Sequence, residues 1–366
     1  MHRLALLVFC ALAAFSGPAA AQLQYPEGTF FLNGLNERSR WSDYDIGGRL
    51  NQRVDLGPYR YTELSTHQPV ATQSRELREW YLDSRSGKGV LVGHSMGGVV
   101  ARDAVLNPDG SINSADKVAG IVSVVSPHQG APIAANARRI DGISGKQLIE
   151  GFLHTIITAK LNPITGLVDL AASTVLHALI ENVFVNGVKK FVVEVFGDRF
   201  GLNAAADDLK PGSATMQRLG STSDYVEHAS VYGTIPKRNM VYELVAGMNY
   251  QDAHGFIKKK NIGRGMLKGC KLIFYNIIVK SAVGHSCHVG DRAIGSLEER
   301  WVDWTGAKND QADGLLPRST MLYPGESEGS TRNVHVPGQN HFSIVYRDAG
   351  LDGVARGMHR IGMRSR

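Results

Sequence analysis

Cysteine is scarce in this chain, with three among 366 residues. Cys10 lies in an apolar stretch near the start, which leaves Cys270 and Cys287 in the body of the chain. The polar residues around Cys287 lack the spacing of an established metal site; they are His285, His288 and Asp291. The sequence therefore predicts no metal and no cofactor.

Excess charge is small as well. The chain has 40 Lys and Arg against 34 Asp and Glu, which gives a formal net charge of +6. Its densest basic stretch, Lys258–Lys260 with Arg264 and Lys268, has no interleaved aromatic residues and no nucleic-acid motif. We therefore expect no nucleic-acid partner and interpret this stretch as a solvated loop, with contact to an anionic membrane or envelope surface as the alternative.

Long uninterrupted apolar runs are missing too, which argues against a membrane-spanning helix. The chain instead begins like a secretory signal peptide, with Arg3 at its head, the apolar stretch Leu4–Phe15 and the small residues Ala19–Ala21. We predict a signal peptide over residues 1–21 and a secreted or periplasmic protein. In such a protein the two cysteines of the body most simply form one disulfide; two buried free thiols are the alternative.

The most informative motif is a serine between a strand and a helix. The apolar run Gly89–Val92 leads into Gly93-His94-Ser95-Met96-Gly97, and a helical pattern follows. Glycines two positions before and after the serine permit a sharp turn, because a Cβ there would clash. Such a turn exposes the hydroxyl of Ser95 to a base, which is typical of nucleophilic catalysis.

Two similar segments lack this context. Gly325-Glu326-Ser327-Glu328-Gly329 has no apolar strand before it and no helix after it, so we interpret it as a polar loop. Gly284-His285-Ser286-Cys287-His288 lacks the closing glycine. Ser95 is therefore the predicted nucleophile.

The order of the elements predicts a parallel α/β sheet. A short strand at Gly28–Leu32, a helix over Val70–Leu82, the strand before Ser95 and the β-branched run Val118–Val125 follow one another. Strand, helix and strand in this order form a right-handed parallel unit, and the apolar runs indicate cover on both faces. The later strands that we expect are Met240–Val245 and Arg332–Pro337.

Two insertions are expected to interrupt the core. Residues 140–200 are strongly apolar and helical in pattern, which fits either a cap packed on the core or a mobile lid that lines an acyl pocket. A second insertion, about 247–309, holds the cysteine pair. We predict a core of residues 22–140 and 231–366 and a helical cap or lid of residues 141–230.

A serine nucleophile needs a histidine base and an acid that orients it. In hydrolases with this turn the chain order is serine, acid, histidine. His341 directly follows the last expected strand, whereas His335 lies within that strand and His359 in a basic tail. Asp313 begins the turn Asp-Gly-Leu-Leu-Pro, and Asp310 more simply caps or solvates it. We predict His341 as the base and Asp313 as the acid.

An oxyanion hole requires two preorganised N–H donors. One is expected from Met96, directly after the serine, and the other from Leu35 in Asn33-Gly34-Leu35, the loop after the first strand.

Four segments together resemble the secreted bacterial triacylglycerol lipases of the α/β-hydrolase superfamily. They are Val92–Gly98, Ser126–Pro132 (Ser-Pro-His-Gln-Gly-Ala-Pro), Asp313–Pro317 and Asn340-His341. The resemblance covers about residues 28–140 and 305–345. It implies an α/β-hydrolase fold, with a mostly parallel sheet that lacks the first strands and carries a helical cap or lid. It also implies hydrolysis of lipid or other acyl esters through an acyl-enzyme, with contact to a lipid–water interface through the cap.

Two departures limit what the resemblance implies. Asn33-Gly34 stands where these lipases have His-Gly, and Ser343 stands where calcium-binding members have Asp, so calcium is not implied. Because fold and triad do not name the acyl group, a polyester depolymerase or a short-chain esterase is the alternative. A catalytically silent surface-binding protein with the same fold is the rival from another class. The sequence names no folding partner.

Overall fold

Six parallel strands form one sheet in the computed structural model, in the order β2-β1-β3-β4-β5-β6. The residues described are 27–35, 40–83, 86–106, 116–136, 204–220, 226–237, 240, 299 and 301–366. The strands are β1 (Thr29–Leu32), β2 (Tyr59–Tyr61), β3 (Gly89–His94), β4 (Val118–Val124), β5 (Glu227–Thr234) and β6 (Asn333–Pro337).

Short helices connect these strands. The α-helices are α1 (Arg40–Asp43), α2 (Ile46–Leu50), α3 (Val70–Leu77), α4 (Met96–Ala104), α5 (Ala204–Asp208), α6 (Ala214–Gly220), α7 (Arg318–Met321) and α8 (Asp348–Arg360). A π-helical turn, Arg78–Leu82, continues α3, and Ala307–Asn309 and Ser343–Val345 form 3₁₀ turns. Residues 132–136 and 301–305 are also helical.

Helices cover both faces of the sheet. A Cβ on Gly98 of α4 would lie 2.7 Å from Ser123 Cβ, and one on Gly357 of α8 would lie 3.2 Å from Val122 Cγ1. Successive side chains of a strand point to opposite faces, so α4 and α8 lie on opposite sides of β4. Strands covered in this way are buried on both faces, which explains the continuous apolar runs of β3 and β4.

The strand order reverses beside β1. From β1 the chain passes to β2 on one side and then returns to β3 on the other. In open α/β sheets such a reversal leaves a crevice outside the carboxyl ends of the two central strands. Leu32 ends β1 and His94 ends β3, so the crevice opens where the chain reaches Ser95.

Most of the expected elements are confirmed. The helix over Val70–Leu82 is α3 with its π-helical continuation, and the strands expected at Gly28–Leu32, Val118–Val125 and Arg332–Pro337 are β1, β4 and β6. The strand expected at Met240–Val245 is wrong at its first residue, because Met240 is helical. The strand between β4 and β6 is β5, whose polar and small residues give no continuous apolar run.

Segments of both predicted insertions pack on the sheet and its helices. Residues 204–220 and 226–230, assigned above to the cap, pack on the core: the Asp208 carboxylate accepts from Val70 N at 2.8 Å, and Leu219 O accepts from Arg102 Nη2 at 3.0 Å. Residues 301–309, assigned to the second insertion, also join the core, since buried Trp301 Nε1 donates to Gly314 O at 2.7 Å. Each segment buries apolar side chains in the hydrophobic core.

Several predictions fall outside the described residues. These are the signal peptide over 1–21, the cap over 141–203, the second insertion over 247–298, and the cysteine pair Cys270 and Cys287. Within the part of the chain that the structure does describe, no helix is both long and apolar enough to cross a bilayer.

Candidate functional site

Ser95 occupies a sharp turn between β3 and α4. Its backbone has φ 52° and ψ −123°, outside the conformations that L-residues readily adopt. A Cβ on Gly93 would lie 2.3 Å from the carbonyl carbon of Gly97, and one on Gly97 would lie 2.6 Å from Leu32 O. Both glycines are therefore required by close backbone contacts. The surrounding packing holds Ser95 in a strained conformation, as is common at functional sites.

Ser95, His341 and Asp313 lie in one hydrogen-bonded row. His341 Nε2 is 3.0 Å from Ser95 Oγ, and His341 Nδ1 is 2.6 Å from Asp313 Oδ2. An ionised carboxylate only accepts, so Nδ1 carries the proton and donates to Asp313. Nε2 of the neutral ring is then an acceptor, and it faces the hydroxyl of Ser95. The row thus contains a hydroxyl, a base and an acid in the order that proton transfer from the serine requires.

Asp313 is held by its own turn. Asp313 is fully buried, and its second oxygen, Oδ1, accepts from Leu315 N at 2.8 Å and Leu316 N at 2.7 Å. Gly314 makes this turn possible with φ 101°. The backbone N–H of His341 also donates to Asp313 O at 3.0 Å, so the acid and the base are joined twice.

Asp310 has a different role. Its Oδ2 accepts from Ser319 N at 2.7 Å, and its Oδ1 lies 3.1 Å from Arg318 Nη2. Arg318 also bonds Glu328 at 2.6 Å. Asp310 therefore fastens the loop that carries Asp313, and His341 contacts Asp313 instead.

A dense hydrogen-bond network folds the loop that carries His341. Asn340 Oδ1 accepts from Phe342 N at 3.0 Å and Ser343 N at 2.8 Å. Buried Ser343 Oγ donates to Gln339 Oε1 at 3.0 Å and accepts from Asn340 N at 2.9 Å. At the position where the resemblance would place a calcium-binding Asp, Ser343 thus completes a turn. No group of three or more His, Cys, Asp or Glu that could hold a metal occurs among the residues described.

The two other histidines considered as bases lie elsewhere. The His335 ring stacks on Tyr232 at a centroid distance of 4.9 Å, and its Nε2 is 2.8 Å from Thr234 Oγ1. Burial lowers the pKa of His335 below its usual value. His359 Nδ1 lies 3.0 Å from Met363 O in the C-terminal segment. These contacts hold both rings within the fold's own packing.

The two predicted oxyanion donors lie on segments that touch. Met96 is the first residue of α4, and Leu35 follows β1 in a loop that is buried at this point. The start of that loop lies against α4, since a Cβ on Gly97 would meet Asn33 O at 2.8 Å as well as the end of β1. The fold therefore brings the loop after β1 to the turn at Ser95, as the oxyanion prediction requires.

The sequence did not predict a role for His94. This histidine is fully buried, and its Nε2 lies 2.9 Å from the backbone oxygen of His341. The centroids of the two rings are 5.1 Å apart. Its place beside the nucleophile is visible in the motif, but its partner lies 247 positions away in the sequence.

A second group of polar side chains, here called the β4 cluster, was also not predicted. It consists of Ser123, His128 and His228, all at most 2% exposed. Ser123 Oγ lies 2.7 Å from His128 Nε2 and 2.8 Å from His228 Nε2. A hydroxyl has one proton to give, so at least one of the two imidazoles donates to Ser123. The cluster explains why the Ser126–Pro132 segment carries a histidine: it ties this loop to β4 and β5.

This chain is similar to one domain family over part of its length and to several solved structures. A PGAP1-like alpha/beta domain matches residues 78–144. The mature form of the Bacillus licheniformis lipase BlEst2 is similar at 13% identity, with 89% of this chain and 91% of that chain covered and a TM-score of 0.45. The metagenomic carboxyl esterase MGS0156 is similar at 13% identity, with 94% and 78% covered and a TM-score of 0.43. No curated protein matches the chain in sequence.

The sheet and the serine turn together have the arrangement of an α/β-hydrolase fold. In α/β-hydrolases the nucleophile lies on a sharp strand-to-helix turn, and the acid and histidine follow it in chain order. Ser95 stands between β3 and α4, Asp313 directly follows a residue bridged to the end of β5, and His341 follows β6. Six parallel strands in the order described, with Ser95, Asp313 and His341 at these places, give the chain an α/β-hydrolase fold.

Proposed function

We propose that this protein is an exported, lipase-like serine hydrolase of carboxylic esters. The observation that carries the proposal is the hydrogen-bonded row Ser95–His341–Asp313 on a strained strand-to-helix turn. A surface-binding protein would have no use for this combination of backbone strain, a buried carboxylate and a fixed imidazole tautomer.

In the acylation step, Ser95 Oγ attacks the ester carbonyl while its proton passes to His341 Nε2. The resulting imidazolium is stabilised by Asp313, whose charge is already held by two backbone N–H groups. The oxyanion of the tetrahedral intermediate accepts hydrogen bonds from the N–H groups of Met96 and Leu35. When the intermediate collapses, the bond to the alcohol oxygen breaks and Nε2 returns its proton to the alcohol.

Deacylation repeats these roles with water. The acyl group is now bonded to Ser95 Oγ, and His341 Nε2 takes a proton from the attacking water. The second tetrahedral intermediate releases the carboxylic acid, and Nε2 returns the proton to Ser95. No proton needs to reach Asp313, which stays ionised throughout.

The substrate class is proposed from the sequence of the predicted cap. Residues 141–203 are rich in apolar side chains, which favours acyl chains of appreciable length. Export follows from the signal peptide predicted over residues 1–21, and we propose a secreted or periplasmic location. The disulfide between Cys270 and Cys287 belongs to the same proposal.

The test is hydrolysis by purified protein of p-nitrophenyl esters from acetate to palmitate, an emulsified triglyceride and a polyester film. Ser95→Ala should lower kcat about 10³-fold or more, because the triad acts as a unit. Ser327→Ala is the matched control: it alters an exposed serine in a similar Gly-Glu-Ser-Glu-Gly segment. Turnover of the film alone would identify the alternative depolymerase, and equal turnover by wild type and Ser95→Ala would contradict the proposal.

A further inference from the structure

The side chain of His94 binds the backbone of His341, the proposed base. The oxygen of His341 can only accept, so His94 Nε2 carries a proton and donates to it across 2.9 Å. This requirement fixes the hydrogen-bonding role of His94 Nε2 whatever the protonation state of Nδ1. The bond is buried, where an amide-like hydrogen bond is worth more than at the surface.

His341 is thereby fixed at four atoms. Its N–H donates to Asp313 O, its Nδ1 donates to Asp313 Oδ2, its Nε2 faces Ser95 Oγ, and its carbonyl accepts from His94. Two of these contacts come from the acid, and two come from adjacent residues of the strand-to-helix turn. The turn therefore aligns the nucleophile with the ring of the base and anchors the backbone of the same residue.

The ring of His94 is itself fixed from the other side. Trp41 packs edge-on against it at a centroid distance of 6.2 Å, and Trp41 Nε1 donates to Leu32 O at 2.7 Å. Leu32 ends β1 and directly precedes the loop with the predicted oxyanion donor. A continuous row of contacts thus links the end of β1, Trp41, His94 and His341. Catalytic groups need such support, because a small misplacement of a reacting group greatly lowers the rate.

We propose that His94 is a positioning residue that keeps His341 aligned with both Ser95 and Asp313. This inference rests on the proposed esterase function. It assigns to His94 no contact with substrate, and it predicts that the Nε2 donor matters more than the ring.

The test compares variants that keep or remove the donor. In His94→Gln the amide nitrogen takes the place of Nε2, whereas His94→Phe keeps a ring without a donor. We expect the Phe variant to lower kcat about tenfold with KM within about twofold, and the Gln variant to recover to within about threefold of wild type. His335→Phe is the matched control, because it removes another hydrogen-bonded histidine outside the site.

Two further measurements separate positioning from stability. In the Phe variant His341 is held less firmly against Asp313, so the acidic limb of the pH profile of kcat/KM should move to lower pH. In the Gln variant this limb should return to its wild-type position. The low-field proton resonance of the His341–Asp313 hydrogen bond should weaken in the Phe variant. If His94→Phe does not fold, His94→Met, which also lacks the donor, replaces it.

The inference is overturned if the donor-free variant keeps wild-type kcat and an unmoved acidic limb. It is also overturned if His94→Gln is as impaired as His94→Phe, since the ring alone would then matter. Failure of the proposed function has a different signature: wild type itself would not hydrolyse esters faster than Ser95→Ala.

Discussion

Two groups of hydrogen-bonded serine and histidine side chains lie beside helix α4. They contain the same residue types but differ in burial and in their other partners. At the site, half-buried Ser95 meets one histidine, whose other nitrogen bonds a buried carboxylate. In the β4 cluster, Ser123 is completely buried within a strand and meets two histidines. His228 in turn packs edge-on against Tyr323 at 5.0 Å.

The difference supports the proposal that Ser95, and not Ser123, is the nucleophile. A base alone does not suffice, because the β4 cluster offers two imidazoles to Ser123. Half-buried Ser95 has in addition a strained backbone, and a buried carboxylate fixes the tautomer of the histidine that it meets. The β4 cluster has the features of a satisfied buried network, which stabilises and specifies a fold. We therefore expect substitutions at the two places to change different measured quantities.

The largest expected effect comes from the acid. In Asp313→Asn the amide would donate to His341 Nδ1 and force the proton onto Nε2, which then cannot accept the proton of Ser95. We expect kcat to fall about 10⁴-fold with the fold preserved. Asp310→Asn is the control and should stay within about threefold, since it alters a partly solvated ion pair. Steady-state kinetics decide, and equal losses in the two variants would refute our assignment of the acid.

The next largest effect is expected on stability, from a substitution in the β4 cluster. Ser123→Ala removes the hydroxyl that both imidazoles of the β4 cluster contact, and we expect a loss of about 1–3 kcal/mol in the free energy of unfolding. Its kcat should stay within about threefold of wild type. Ser126→Ala is the control: Ser126 is equally buried, but among the described residues its hydroxyl makes only long contacts, of 3.4 and 3.5 Å. Urea unfolding that gave the two variants equal stabilities would contradict this role for the cluster.

A smaller effect per step is expected for substrate length. Each methylene buried in an apolar pocket contributes up to about 0.8 kcal/mol, or roughly fourfold in kcat/KM. We expect kcat/KM on p-nitrophenyl esters to rise from acetate to a medium or long optimum. An enzyme that prefers acetate and rejects longer chains would remove the lipase-like part of the proposal while leaving the triad intact.

The smallest effect concerns His335, a histidine outside both groups. Burial lowers the pKa of His335 in the folded protein. Between the folded and the unfolded pKa, the ring is therefore neutral in the folded protein but protonated in the unfolded chain. Stability should therefore decrease as pH falls below the unfolded value of about 6.5, until the lower folded pKa is passed. Urea unfolding at several pH values should show a weaker decrease for His335→Gln. An unchanged pH dependence in that variant would assign the decrease to other groups.

The predictable parts of the molecule are those set by local chemistry. The glycine spacing around Ser95 reports backbone contacts within a few residues, and the chain order of Asp313 and His341 follows from the hydrolase topology. Strand β5 was missed because its buried His228 and Ser230 are stabilised by tertiary hydrogen bonds, which no local pattern reveals.

The same reason applies to the packing of residues 204–220 and to His94. Residues 204–220 form two short helices whose place in the core depends on contacts with α3 and α4. The bond from His94 to His341 joins residues 247 positions apart. Such contacts exist only once the sheet has brought β3 and the loop after β6 together.

The most direct test of the difference between the two serines is covalent labelling of the full chain with a fluorophosphonate, followed by peptide mass mapping. This reagent reacts with an activated serine, so we predict one adduct, on Ser95, that is absent from Ser95→Ala and retained by Ser123→Ala and Ser327→Ala. A folded wild-type protein that takes up no label, or that carries the label on another serine, would contradict the account.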